Sequence, residues 1–173
     1  MEKVSLREMS LADTENIIKW KNNKNVKKNF CIQDDLTRET HEKWFHNKIE
    51  KGIVKQFIIK DIESDMEVGS VYLRDIDYNN KKAELGIFIG EDVARGKGIG
   101  TESVKLIVKY AFEELKLHRV FLRVFSNNIS GIKAYEHAGF KYEGTAIDDI
   151  MLPNGEYQDI SFMSIISNKM EEF

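Results

Sequence analysis

The chain holds one cysteine, Cys31, and one proline, Pro153, among its 173 residues. A lone cysteine excludes an intrachain disulfide and fits a reducing compartment. With so little proline, and with no Gly/Ser-rich stretch, repeat or low-complexity tract, no linker is visible. Residues 1–173 therefore read as one domain with a core of ordinary size. No run approaches the roughly 20 apolar residues that a spanning helix needs. The opening MEKVSLREMSLAD has no apolar stretch of signal-peptide length. The expected location is the cytoplasm, with no membrane partner. An excess of one charge is missing too: 26 Lys and Arg against 29 Asp and Glu leave a net charge of -3. That removes the bulk electrostatic case for a nucleic-acid partner. The histidines, His41, His46, His118 and His137, are scattered without metal-ligand spacing, so no metal is expected.

What is present is a globular balance, 42% hydrophobic and 32% charged. VSLREM reads as a first strand. Ser10 is placed as an N-cap, with Asp13 in the first turn, for a helix through Ile17, Ile18 and Trp20. NNKNVKKNF reads as a polar loop. Thr37 caps a second helix carrying His41, Trp44, Phe45 and Ile49 at helical spacing, and Gly52 stands at its C-terminal cap. The period then shortens. QFIIKD, VGSVYLRD and KAELGIFI, separated by ESDME and DYNNK, predict an antiparallel meander. Val104, Ile107, Val108, Ala111 and Leu115 mark one face of a third helix. HRVFLRVF is a strand, and NNISGIKAYEHAG a short helix closed by Gly139. Two last strands flank a Pro153–Gly155 turn. The class is α+β.

The densest signal is DVARGKGIGTESVKLIVKYAFEEL, where Gly96, Gly98 and Gly100 fall at the mouth of the third helix. Bare backbone lets successive N–H groups close on an anion, and the helix N-terminus adds partial positive charge. That combination suits a diphosphate. The dinucleotide pattern G-x-G-x-x-G fails because Thr101 stands at its third glycine. The P-loop fails because Gly98 follows Lys97. What fits is [RQ]-x-x-G-x-[GA], as Arg95-Gly96-Lys97-Gly98-Ile99-Gly100. Downstream, NNISGIKAYEHAGF sets Asn128 seven residues before Tyr135, with Gly139-Phe140 following.

With both anchors in hand, the chain resembles the GNAT superfamily of acetyl-CoA-dependent N-acetyltransferases over nearly its whole length. The resemblance implies a three-layer domain: a twisted, mixed and mostly antiparallel sheet with helices on both faces, whose two central parallel strands splay apart. Acetyl-CoA would be the co-substrate. Main-chain groups of Ile87, Phe88 and Ile89 would meet its pantetheine and thioester, and the amides of Arg95 through Thr101 its diphosphate. Asn128 would bond the pantetheine arm. A homodimer is a habit of the family.

Moving an acetyl group from sulfur to an amine requires a deprotonated amine and a proton for the leaving thiolate. Tyr135 is the expected general acid, since the family uses a tyrosine at this place. Glu84 is the expected base, as the carboxylate in an otherwise apolar strand. Alternation puts it on one face with Gly86 and Phe88, and burial is expected to raise its pKa. The acceptor half is less specific. WKNNKNV with TRETHEKWF is similar to acetyltransferases of nucleotide-linked amino sugars. EGTAIDDIMLPNGEYQD is similar to spermidine and ribosomal-protein N-terminal acetyltransferases. A small primary amine is expected, an amino-sugar nucleotide or a polyamine. A protein N-terminus and a non-catalytic acyl-CoA-binding module are the alternatives.

Overall fold

The computed structural model describes residues 2–167. Strand β1 spans Val4–Glu8, and a 3-10 turn at Leu11–Asp13 leads into α1, Thr14–Asn22. Ser10 caps that turn rather than α1 itself. The Asp13 carboxylate accepts from the Ser10 amide at 2.8 Å and from Arg7 Nη2 at 2.6 Å, which holds it well below its ordinary pKa despite burial. The expected loop over NNKNVKKNF contains a short helix, α2, at Lys24–Lys27. Its cap is Asn23, whose side chain accepts from the Asn25 amide. A four-residue helix leaves no hydrophobic period to read, so only the cap signalled it. Helix α3, Arg38–Trp44, is capped by Thr37 as expected and widens into a π turn at Phe45–Ile49. Gly52 closes it with φ +68°.

The meander follows as β2 (Lys55–Asp61), β3 (Met66–Asp77) and β4 (Lys82–Ile89). Helix α4 runs Ile99–Glu113, β5 Arg119–Phe125 and α5 Ile129–His137. The hairpin β6 (Lys141–Met151) and β7 (Tyr157–Ile166) ends the described chain. The seven strands form one sheet in the order β1-β2-β3-β4-β5-β7-β6. Neighbours are antiparallel except β4 and β5, which run parallel.

Two clusters sandwich the sheet, each on the face that strand alternation assigns to it. Against α4 lie Ala83 and Leu85 of β4, Val120 and Leu122 of β5, and Met163 of β7, with Val104, Ile107 and Ala111 from the helix. On the opposite face Ile17 and Trp20 of α1 and Phe45 meet Ile58 and Phe88. The α4 stripe predicted by spacing is buried at Val104, Ile107, Val108 and Ala111, while Leu115 lies past the helix end and is half-buried. Gly90, just past β4, sits under the Trp20 ring: a Cβ there would stand 2.0 Å from Trp20 Cγ. The Trp20 indole donates to Glu91 Oε1 at 2.8 Å, and Asn23 Nδ2 to the Gly90 carbonyl at 3.1 Å. These contacts fix α1 and α2 beside the end of β4.

Candidate active site

The site begins where the sheet divides. Strands β4 and β5 pair only from Lys82↔Arg119 to Glu84↔Phe121, and beyond that point no pairing joins them. Residues 85–89 thus present an unpaired edge inside the sheet, with alternate N–H and C=O groups able to take an extended ligand as an added strand. A cleft of about 590 Å³ opens there, lined by Ile87, Phe88 and Ile89 on one side and by Asn128 and Tyr135 on the other. Phe88 contributes wall and main chain only, because its buried ring packs on Phe30 with centroids 6.1 Å apart. The Ile89 carbonyl already accepts from Arg95 Nη2 at 2.8 Å.

Arg95 is therefore a brace, and its amide, expected to meet the diphosphate, already donates to the Asp92 carbonyl at 3.2 Å. Its side chain also reaches the Asn25 carbonyl at 3.3 Å and pairs with Asp92. The anion-directed parts are the amides that follow. Helix α4 starts at Ile99, with Gly98 at its N-cap and no side-chain cap. Among the described residues, no main-chain acceptor takes the amides of Gly96 through Thr101, and the first helical bond is Glu102 N–H to the Gly98 carbonyl. Gly96 and Gly98 adopt φ +74° and +81°, left-handed values that disfavour any side chain. A Cβ at Gly100 would meet nothing within 4 Å, so the space above the first turn is open to a ligand. These residues fit a diphosphate: free donors converge at a helix N-terminus where glycines clear the approach. Gly96, Gly98, Ile99, Gly100 and Thr101 line the cleft, whereas exposed Lys97 does not. Lys3 was not foreseen. Its Nζ lies 3.8 Å from where a Gly98 Cβ would be, a cation brought from β1's end by the sheet.

Asn128 caps α5, its Oδ1 accepting from the Gly131 amide at 3.1 Å, which leaves its Nδ2 hydrogens for the cleft. Tyr135 lines the cleft beyond it, and its hydroxyl makes no hydrogen bond among the described residues. Burial, and then the neighbouring Tyr72, raise its pKa above the ordinary phenol value, so it holds its proton at neutral pH. Thr101 Oγ1 lies 3.5 Å from the Ala134 carbonyl, a contact that ties the loop to the helix bearing Tyr135.

Glu84 corrects an expectation. It is buried, on the predicted face, but its pKa is lowered. Burial pushes it up, yet hydrogen bonds and charge from Arg123 and Arg74 outweigh that. Arg74 Nε and Nη2 donate to Oε2 and Oε1 at 3.2 and 3.0 Å. Arg123 Nε and Nη2 donate to Oε1 and Oε2 at 3.0 and 3.2 Å. A carboxylate gripped by two guanidiniums is a poor proton acceptor. Sequence reasoning missed Tyr72, Arg74 and Arg123. Alternation in VYLRD and the hairpin register would have set Tyr72 opposite Gly86 and Arg74 opposite Glu84, as observed. The Tyr72 ring covers Gly86 so closely that a Cβ there would lie 2.2 Å from its Cζ. Arg123 arrives through a non-local parallel pairing that no local pattern encodes.

Among the described residues no group of three or more His, Cys, Asp or Glu is placed to hold a metal ion, and no helix is long and apolar enough to cross a membrane. Residues 3–141 match the family described as an acetyltransferase (GNAT) domain. The spermidine N(1)-acetyltransferase of Vibrio cholerae is 27% identical over 166 residues, covering 96% of this chain and 94% of that protein. A probable N-acetyltransferase of Bacillus subtilis, YjcK, is 34% identical over 129 residues, 74% of this chain and 70% of that protein. The crystal structure of the Vibrio cholerae spermidine N-acetyltransferase in complex with CoA and spermine superposes with a TM-score of 0.89 at 27% identity, covering 98% of both chains. The glycine loop, the divided sheet and the family match over residues 3–141 agree: the chain belongs to the GNAT acetyltransferase family and is an acetyl-CoA-dependent N-acetyltransferase.

Proposed function

We propose that the whole chain is one catalytic domain that acetylates a small primary amine by direct attack, with Tyr135 as general acid. Acetyl-CoA supplies the acetyl group as a thioester. The amides from Gly96 to Thr101 hold its diphosphate, the free edge at residues 85–89 and Asn128 Nδ2 align the pantetheine arm, and the Tyr135 hydroxyl gives its proton to the departing sulfur. The observation that carries the reading is the Tyr135 hydroxyl on the cleft wall, without a hydrogen bond among the described residues. Glu84 is reassigned: it holds Arg74 and Arg123 in place instead of accepting the amine's proton. Those guanidiniums favour the neutral form of an amine brought beside them, since a like charge disfavours an ammonium. The amine proton then leaves through water.

Small amines are favoured over a protein N-terminus by the Vibrio cholerae relative, which was solved with spermine. Self-association is proposed on the same footing, because a structure of that enzyme is dodecameric. Tyr135→Phe tests the mechanism, as it removes one oxygen and little volume. General acid catalysis is worth roughly 10²–10⁴-fold, so single-turnover rates should fall by about that factor while CoA affinity stays near wild type. An acyl donor with a better leaving group should recover part of the loss. A variant that keeps wild-type single-turnover rates, or loses CoA affinity as much as rate, removes Tyr135 from the acid role.

A further inference from the structure

The face of β4 that carries Glu84 is cationic where the seam with β5 ends. Tyr72 and Arg74 lie on one face of β3, directly opposite Gly86 and Glu84. Arg123 reaches Glu84 from the diverging β5. The Glu84 carboxylate, 4% exposed, is shared by two guanidiniums that are 43% and 47% exposed. One carboxylate cannot neutralise two arginines. Both grip it through Nε and Nη2, so both Nη1 groups are left without a hydrogen bond among the described residues.

Lys21 adds a third positive charge. Its Nζ stands 5.3 Å from the centroid of the Phe30 ring, and Phe30 itself lines the acetyl-CoA cleft. It makes no ion pair or hydrogen bond among the described residues. Burial, and then the charge of Arg74, lower its pKa. A lysine left without a counterion beside an arginine is costly, and an anion would relieve that cost. Asp75 and Asp34 leave that excess in place. Asp75 Oδ2 is 4.0 Å from Arg74 Nε but 73% exposed and so well screened, and Asp34 lines a separate outer pocket with Cys31 and Pro153.

We propose that the acceptor is a primary amine that also carries an anionic group, a phosphate or a carboxylate, seated on the Nη1 donors of Arg74 and Arg123 with Lys21 beside them. This deepens the amine-transfer reading above and rests on it for the amine. The fork geometry of two guanidiniums suits anionic oxygens. A polycation would place an ammonium against the same three charges. The acceptor class therefore differs from that of the spermine-bound Vibrio cholerae relative, although the two chains share the fold.

The test is equilibrium binding to the CoA-saturated protein, which closes the diphosphate loop to competing anions. Amines are compared in matched pairs: glucosamine 6-phosphate with glucosamine for phosphate, 4-aminobutyrate with butylamine for carboxylate, and spermidine as the polycation. At least one anionic member should bind about tenfold or more tighter than its uncharged partner. Lys21→Met, which leaves the Glu84 pairs intact, should shrink that ratio severalfold, and raised salt should do the same. The pair that discriminates tells phosphate from carboxylate. The proposal is overturned if both pairs bind within threefold of one another, if spermidine binds tightest, or if the Lys21→Met ratio equals wild type. Thiol release from acetyl-CoA is followed in parallel. Tight anionic binders that release no thiol would sink the transfer reading and leave this site standing. Release with uncharged amines alone would do the reverse.

Discussion

Replacing Glu84 by Gln separates a structural carboxylate from a catalytic one. The side chain keeps its size and one acceptor oxygen, but two guanidiniums lose the charge they share. Removing one partner of a buried ion pair costs about 3–5 kcal/mol. Here the arginines are 43% and 47% exposed and recover part of that from water, which leaves about 2–3 kcal/mol. For a domain of this size that is a fall of about 4–12 °C in Tm. The pH dependence has a definite sign. The folded carboxyl titrates below its ordinary value of 4.5, so its contribution is complete above that pH and is lost as the pH falls through the lowered pKa. The Tm gap between wild type and variant should therefore be full at pH 7 and narrow below about pH 4.5. Calorimetry reads the gap, and initial rates read activity from pH 6 to 9. The rate profile should keep its shape or move its acidic limb to lower pH, since the unshared guanidiniums disfavour the ammonium further. The reasoning is refuted if Tm is unchanged while activity collapses at neutral pH and recovers in alkali, because Glu84 would then be the base.

Gly100→Val should leave the fold intact, since a Cβ there meets nothing within 4 Å, and should weaken CoA at least about tenfold, or ~1.4 kcal/mol, by titration calorimetry. Undiminished affinity would move the diphosphate away from this loop. Gly90→Ala drives a Cβ to 2.0 Å from Trp20 Cγ and should cost about 2–3 kcal/mol in denaturant melts. Wild-type stability would mean that Trp20 is not seated on β4's end as described.

Much of this was readable from residue order because it is local. Apolar spacing marks the α4 stripe, alternation gives Glu84 its face, and the glycines mark the loop. Thr37 and Gly52 marked the ends of the second helix because capping chemistry is local as well. The acceptor side resisted for the opposite reason. Glu84 meets Arg74 through a hairpin and Arg123 through a crossover, and these two contacts reverse the direction in which burial alone would move its pKa. A lone carboxylate in an apolar strand is the same word in the sequence whether it is a base or a clamp. Lys21 sits in a polar stretch that reads as surface, yet it is half-buried and within the field of Arg74.

The division between β4 and β5 makes this sheet two half-sheets, β1–β4 and β5–β7–β6, joined along a short seam from Lys82↔Arg119 to Glu84↔Phe121. The carboxylate that both arginines grip acts as a rivet at the point where the seam ends. A co-substrate bound in the proposed cleft between the open edges would be mortar as well as reagent. By mass action it adds about 2.7 kcal/mol of stability at a hundred times its Kd. The stability of the folded enzyme would thereby be coupled to the supply of its own acyl donor. A cell poor in acetyl-CoA would lose turnover twice, once for want of substrate and again because the fault line is left unmortared.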